Sequence, residues 1–90
     1  MKKHIVTKDQ LDENNNYIGS IDLSDFDGAI EIEENLGIVK FSAIKALFYI
    51  FAKAGSGIEA GGGIEAGWGI EAGGGIKAGW GIEAGWCIVS

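Results

Sequence analysis

The sequence predicts an all-β fold, a single short-repeat β-solenoid (β-helix) with an N-terminal hairpin-like cap. Two observations carry this prediction. The unit Gly-Ile-Glu/Lys-Ala-Gly-x occurs five times in tandem from residue 57 and ends in a partial unit, Cys87-Ile88-Val89-Ser90. Before the repeat, apolar residues already keep to even positions from Phe26 onward. The chain therefore repeats one short extended element that has one apolar face.

The repeat favours strands over helices because two or three of its six positions are Gly, and each Gly costs about 1 kcal/mol in a helix interior. Alternate residues of a strand share a face, so Ile58 and Ala60 are predicted to point inward and Glu59 outward. Glycines between the units are expected to form corners with positive φ angles. One Ile recurs in each unit at a spacing of six: Ile58, Ile64, Ile70, Ile76, Ile82 and Ile88.

The coil size is open between twelve residues with two sides and eighteen residues with three. Eighteen is favoured because it places Lys77 beside Glu59 and Trp86 beside Trp68, whereas twelve places like charges on adjacent strands, which is destabilising. A two-residue offset separates the repeat from an upstream block. The inward positions predicted for that block are Phe26, Ile30, Ile32, Leu36, Ile38, Ile44, Ala46, Phe48, Ile50, Ala52, Ala54 and Ser56.

Three regions follow from these patterns: an acidic N-terminal cap at 1–25, irregular first solenoid coils at 26–56, and the hexapeptide solenoid at 57–90 with an open C-terminal end. Within the cap, 4–8 and 17–23 are strand-like, and the polar segment 12–16 between them is typical of a turn. A helix over 41–54, ending near Gly55, remains an alternative to strands there.

Charge and hydropathy narrow the partners. Residues 1–35 carry nine carboxylates against three lysines, which accounts for the net charge of −6, and the remainder is neutral. A chain without a basic stripe is not expected to bind nucleic acid. No secretory signal is visible, so a cytoplasmic location is expected, and the most apolar segment, 41–54, is too short for a transmembrane span.

No catalytic, cofactor-binding or metal site is expected. Asp12, Asn14 and Asn16 alternate as in a calcium loop, but Tyr17 stands where that loop needs Gly, and a plain turn is favoured. The carboxylates Asp22, Asp25 and Asp27 are likewise expected to cap turns. Neither a nucleophile with its base nor a phosphate-binding loop occurs in the sequence, so an enzyme is not expected.

The chain resembles hexapeptide-repeat β-helix proteins, and its onset Phe26-Asp27-Gly28-Ala29-Ile30-Glu31-Ile32 resembles that of the bactofilins. It is also similar to bacterial proteins with long Gly-Ile-Glu-Ala-Gly-Trp arrays. The bactofilin resemblance implies head-to-head or tail-to-tail polymerisation without nucleotide, as a scaffold. Acyltransferases of the hexapeptide class use a histidine near the coils, whereas His4 is the only histidine here and precedes the repeat.

The first functional expectation is a structural protein that assembles into dimers or filaments through solenoid ends or faces, because an uncapped coil can template another chain. The expected assembly interface is Trp86, Cys87, Ile88 and Val89. The alternative is a binding module for a glycan or protein. Its ligand face would be Trp68, Trp80 and Trp86, and a second, outward apolar patch is predicted from Phe41, Leu47, Tyr49 and Phe51.

Overall fold

The computed structural model describes residues 2–89 and is a β-solenoid of about three turns. Every named strand pairing is parallel. A 3-10 turn occupies Lys8–Gln10. The strands are β1 (Lys3–Val6), β2 (Ala29–Ile32), β3 (Gly37–Phe41), β4 (Ile44–Ala46), β5 (Ile50–Ala52), β6 (Ser56–Ala60), β7 (Gly63–Ala66), β8 (Gly69–Ala72), β9 (Ile76–Ala78), β10 (Gly81–Ala84) and β11 (Cys87–Val89).

The strands form three sheets, one on each side of the solenoid. Their orders are β1-β2-β5-β8-β11, β4-β7-β10 and β3-β6-β9. The last coil lies 18 residues from the one before it, since Ile64 pairs with Ile82 and Ile70 with Ile88. The prediction of eighteen-residue, three-sided coils is therefore confirmed, and so are strands rather than a helix in 41–54.

The predicted two-residue offset is also present. Ile44 pairs with Ile64 and Ile50 with Ile70, so these two coils are 20 residues apart. The extra residues form the corner before β6, where Gly55 has a φ of 80°. Ser56 is buried there as predicted; its hydroxyl donates to the carbonyl of Glu33 and accepts the backbone N–H of Leu36 at 3.0 Å.

One segment departs from the predicted even-position parity. In β3, Val39 and Phe41 point into the core, and Phe41 is 8% exposed, whereas Ile38 is 40% exposed. Asn35 and Gly37 both have positive φ angles, and this turn shifts the strand that follows by one residue. A one-residue shift moves every side chain of a strand to the opposite face. The predictions of an inward Ile38 and an outward Phe41 are therefore wrong.

The N-terminal region is not a hairpin of two strands. β1 lies parallel on β2, and residues 17–23 contain no strand within the described chain. The one antiparallel feature among residues 2–89 is a bridge between Leu11 and Tyr17, around a turn in which Asn15 has a φ of 64°. Residues 3–26 instead form a wide first coil that closes the core with Val6 and Leu23. The acidic region is thus built into the solenoid.

Most corner glycines of the repeat serve close approach rather than positive φ. Among the described repeat glycines only Gly75 has a positive φ, so the predicted reason is wrong for the others. A Cβ on Gly67 would overlap the carbonyl oxygen of Leu47, one coil below. Glycine is required at this corner because the two backbones leave no room for a side chain.

Within residues 2–89, no helix is long and apolar enough to cross a membrane.

The two glycines that flank β7 are expected to respond differently to a methyl group. Gly67→Ala should destabilise the fold by about 1 to 3 kcal/mol because the stacked corners must separate. Gly63→Ala is the matched control: its Cβ would lie 3.5 Å from the Gly81 carbonyl oxygen, an ordinary contact, and its free energy of unfolding should change by less than about 1 kcal/mol. Urea unfolding measures both, and equal losses would contradict close approach as the reason for Gly67.

Candidate functional site

The outer edge of the last coil, β9-β10-β11, is the first candidate surface. Within residues 2–89 no strand stacks on this edge, and its inner residues are less covered than their counterparts one coil below. Ile58, Ile64 and Ile70 are buried, whereas Ile76 and Ile82 are half-buried and Ile88 is 46% exposed. The coil therefore presents apolar side chains and an unpaired row of backbone groups together.

Of the predicted interface residues, all four lie on or beside this coil. Ile88 is the inward residue of β11, while Cys87 and Val89 point outward and are exposed. Trp86 occupies the corner before β11 and is 74% exposed.

The outward residues form one charge column on each side of the solenoid. The column on β3-β6-β9 is Lys40, Glu59 and Lys77, as the register pairs them. The column on β4-β7-β10 is Lys45, Glu65 and Glu83, with the Lys45 ammonium 3.9 Å from the Glu65 carboxylate. The placement of Lys77 beside Glu59 is confirmed. The last coil thus shows Lys77 on one side and Glu83 on the next.

The third column, on β2-β5-β8-β11, mixes carboxylates with apolar groups: Glu31, Phe51, Glu71 and Val89. Glu31 accepts a hydrogen bond from the Tyr49 hydroxyl at 2.7 Å, and the ammonium groups of Lys3 and Lys53 lie 3.6 and 3.9 Å away. No lysine of residues 2–89 forms an ion pair with Glu71. The neighbours of Glu71 on the adjacent strands are apolar, and its carboxylate therefore lacks a cation within this part of the chain.

An aromatic row runs along the corner beside this third column. The rings of Trp68 and Trp86 are stacked at 5.3 Å with an interplanar angle of 2°, which confirms their predicted proximity. Phe48 and Tyr49 continue the row below Trp68, with centroids 4.9 and 6.4 Å from its ring. Trp80 lies on a different corner and is 88% exposed. The three tryptophans therefore do not form one face.

The predicted apolar patch is likewise divided. Phe41 is in the core, and Leu47 occupies a corner with 55% exposure. Tyr49 and Phe51 remain as outward, half-buried residues on one sheet. The structure therefore joins these two residues to Trp68 and Trp86 rather than to Phe41.

Between the aromatic row and the third column lies a groove of about 370 Å³. Its floor is Gly69, which pairs with Cys87 above and has no side chain to fill the space. Its walls are Tyr49, Phe51, Trp68, Glu71 and Trp86, with Glu31 at the lower end and Cys87 and Val89 at the upper end. Sequence reasoning missed the roles of Gly69, Glu31 and Glu71, because a groove between two columns is visible only once the eighteen-residue register is fixed.

The carboxylates of the head act as turn caps and ion-pair partners. Asp12 accepts the backbone N–H groups of Asn14 and Asn16, each at 2.9 Å, and these hydrogen bonds lower its pKa, with that of Asn16 contributing most. Asp22 accepts from Ser24, which lowers the pKa of Asp22, and Asp27 pairs with Lys2 at 2.9 Å, which lowers the pKa of Asp27. The turn interpretation of Asp12 fits this geometry.

No protein-family model matches the chain, and neither a curated protein nor a solved structure has significant similarity to it. Function is therefore argued from the geometry of this chain.

The hydrogen bond between Tyr49 and Glu31 predicts a pH effect that can be measured residue by residue. The pKa of Tyr49 is raised, first because its hydroxyl donates to Glu31 and second because of burial. A tyrosine whose pKa is raised by folding contributes stability that is present below the unfolded pKa of about 10 and is lost as pH rises through the folded pKa. Glu31→Gln should lower the Tyr49 pKa, as followed by NMR of the tyrosine ζ carbons.

Tyr17 is the internal control for this titration. Its pKa is also raised, but chiefly by burial, so Glu31→Gln should leave it unchanged. An unchanged Tyr49 pKa, or equal changes in both tyrosines, would contradict the assigned cause.

Proposed function

We propose that this chain is a structural, self-assembling protein whose copies associate tail to tail through the outer edge of β9-β10-β11. The observation that carries the proposal is the partial exposure of Ile76, Ile82 and Ile88 on a coil whose backbone edge is unpaired within residues 2–89. A coil of this kind offers the same stacking surface that β6, β7 and β8 offer to it. Unblocked solenoid ends and strand edges tend to associate.

Charge favours one arrangement of the two copies. A tail-to-tail pair has a two-fold axis across the solenoid, which maps one side onto itself and exchanges the other two. With the axis through β11, Val89 meets Val89 of the second copy, and Lys77 meets Glu83 of the second copy on both flanks. An axis through β9 or β10 would oppose Lys77 or Glu83 to itself, and like charges directly opposite are destabilising. We therefore place the axis at β11.

The inner residues suit this arrangement as well. Copies related by a two-fold axis pair their strands antiparallel, which reverses the order Ile-x-Ala. Ile76 then lies opposite Ala84 of the second copy, and Ile82 opposite Ala78. Large residues meet small ones on both exchanged sides, so the cores of the two copies can interlock without doubling their volume.

The acidic head disfavours contact at the other end. Residues 1–35 carry all of the net charge of −6, so two heads repel each other, whereas the coils from residue 36 onward are neutral. The resemblance to bactofilins, which implies polymerisation through ends, supports the same function. A filament would require the head to dock too, so the dimer is the expected principal product.

The interface is the cross-section of a single eighteen-residue coil, which is smaller than the roughly 20 to 30 residues a side of a stable interface. We expect association in the micromolar to millimolar range. Light scattering after size exclusion, at several concentrations and with reductant to keep Cys87 a thiol, should show a mass that rises toward the dimer. Negative-stain microscopy of the same fractions detects filaments. A monomer at every concentration would overturn the proposal and leave the binding-module alternative at Trp68, Trp80 and Trp86.

Two substitutions should weaken association without weakening the fold. Glu83→Lys removes a like-charge neighbour of Glu65 within the chain, yet places a second ammonium group opposite Lys77 of the second copy. Val89→Lys gains Glu71 as a neighbour within the chain, yet places two ammonium groups at the axis. Each should raise the dissociation constant at least about tenfold, since a like-charge pair replaces a favourable contact on a partly desolvated edge. Urea unfolding of the monomer should show unchanged or greater stability.

The matched control is Glu65→Lys, which makes the same charge change one coil inward and should leave association within about twofold. Adding Lys77→Glu to Glu83→Lys exchanges the two charges and should restore dimerisation. If Glu65→Lys weakens association as much as Glu83→Lys does, net charge rather than the proposed contact controls assembly, and the axis at β11 is wrong.

A further inference from the structure

The groove above Gly69 combines features that the proposed assembly does not use. Gly69 and Glu71 lie on β8, one coil inside the proposed interface. The groove is walled by aromatic rings on one side and by Phe51, Glu71 and Val89 on the other. Its floor is open because the outward position between Tyr49 and Cys87 is a glycine. A rigid, preformed concavity with few polar groups is typical of a small-ligand site.

The electrostatics of the groove favour a cation. Indole and phenol faces attract cations through their quadrupoles. Glu71 adds a carboxylate that has no ion-pair partner among residues 2–89, whereas Glu31, at the lower end, is already engaged by Lys3, Lys53 and the Tyr49 hydroxyl. The attraction is therefore concentrated in the centre, where Trp68, Trp86 and Glu71 surround the space above Gly69.

The scarcity of hydrogen-bond acceptors narrows the chemistry further. A primary ammonium carries three N–H donors that must be satisfied on leaving water, and Glu71 is the one unengaged carboxylate among the described residues of the groove. An alkylated ammonium has no such donors, and its methyl groups bury favourably against aromatic rings. We propose that the groove between the Trp68–Trp86 row and Glu71 binds a small molecule bearing a quaternary ammonium group.

The opposite face of the solenoid provides a natural comparison. Its depression is lined by Ala43, Lys45, Gly63, Glu65, Trp80 and Glu83, among others. There the floor is again glycine, but Lys45 neutralises Glu65 at 3.9 Å, and Trp80 has no stacked aromatic partner among the described residues. This second face therefore shares the shape of the groove without its chemistry.

Choline and its neutral isostere 3,3-dimethylbutan-1-ol test the inference directly. Titrations followed by ¹H–¹⁵N NMR at one protein concentration, so that the association state is constant, should show saturable shifts of the Gly69 amide and of the indole N–H groups of Trp68 and Trp86. The Trp80 indole is the internal control and should not shift. Choline should bind about tenfold more tightly than the isostere, the range expected of a cation–π contribution.

Three variants locate the site. Gly69→Val fills the groove floor from an outward strand position and should abolish the shifts, while Gly63→Val makes the same change on the comparison face and should preserve them. Glu71→Gln should weaken choline binding about threefold, with no change for the isostere, because it removes charge and keeps shape. Thermal melting by circular dichroism confirms that each variant is folded, and an unfolded Gly69→Val is replaced by Gly69→Ser.

Several outcomes would overturn the inference: no saturable shift with choline, equal affinity for choline and the isostere, equal shifts at all three indoles, or retained binding in the folded Gly69 variant. Equal affinities would instead indicate a groove that selects uncharged ligands such as glycans. None of these results depends on whether the copies associate, so the groove and the tail-to-tail contact fail or succeed separately.

Discussion

The whole fold depends on the stacking of each coil directly on the one below, with the chain's inner residues in register. Ile50, Ile70 and Ile88 form one such row, and Ile44, Ile64 and Ile82 form another. The stacking brings corner backbones so close that Gly67 and Gly85 cannot carry a side chain. Glycine is thus the condition for the parallel ladders, and the isoleucines fill the space the ladders enclose.

The same register creates both candidate surfaces. A side chain that is ordinary within its own coil acquires a neighbour 18 or 20 residues away, and the outer face becomes a set of columns. The column with Lys77 beside Glu59 is electrostatically balanced, whereas the column with Glu71 is not. Function in such a protein is therefore located in the differences between sides of nearly identical backbone geometry.

Much of this could be predicted from the sequence, for physical reasons. Alternation at period two and recurrence at period six determine which residues lie inside, and the Lys77 and Trp86 positions favour eighteen over twelve residues per coil. The reversed faces of Ile38 and Phe41 could not be predicted, because one turn at Asn35 and Gly37 shifts the strand. The groove escaped too, since its floor at Gly69 has the same local sequence as every other repeat.

The near identity of the repeats has a consequence for how the chain reaches its structure. Because the unit is six residues and a coil is three units, a strand displaced by one unit would still find Ile against Ile and Ala against Ala. Only the wide first coil and the 20-residue spacing that follows it are unique in length among the described residues. The head therefore acts as the start point of the ladder, and growth from it toward β11 avoids kinetic traps in which the strands are paired one unit out of place.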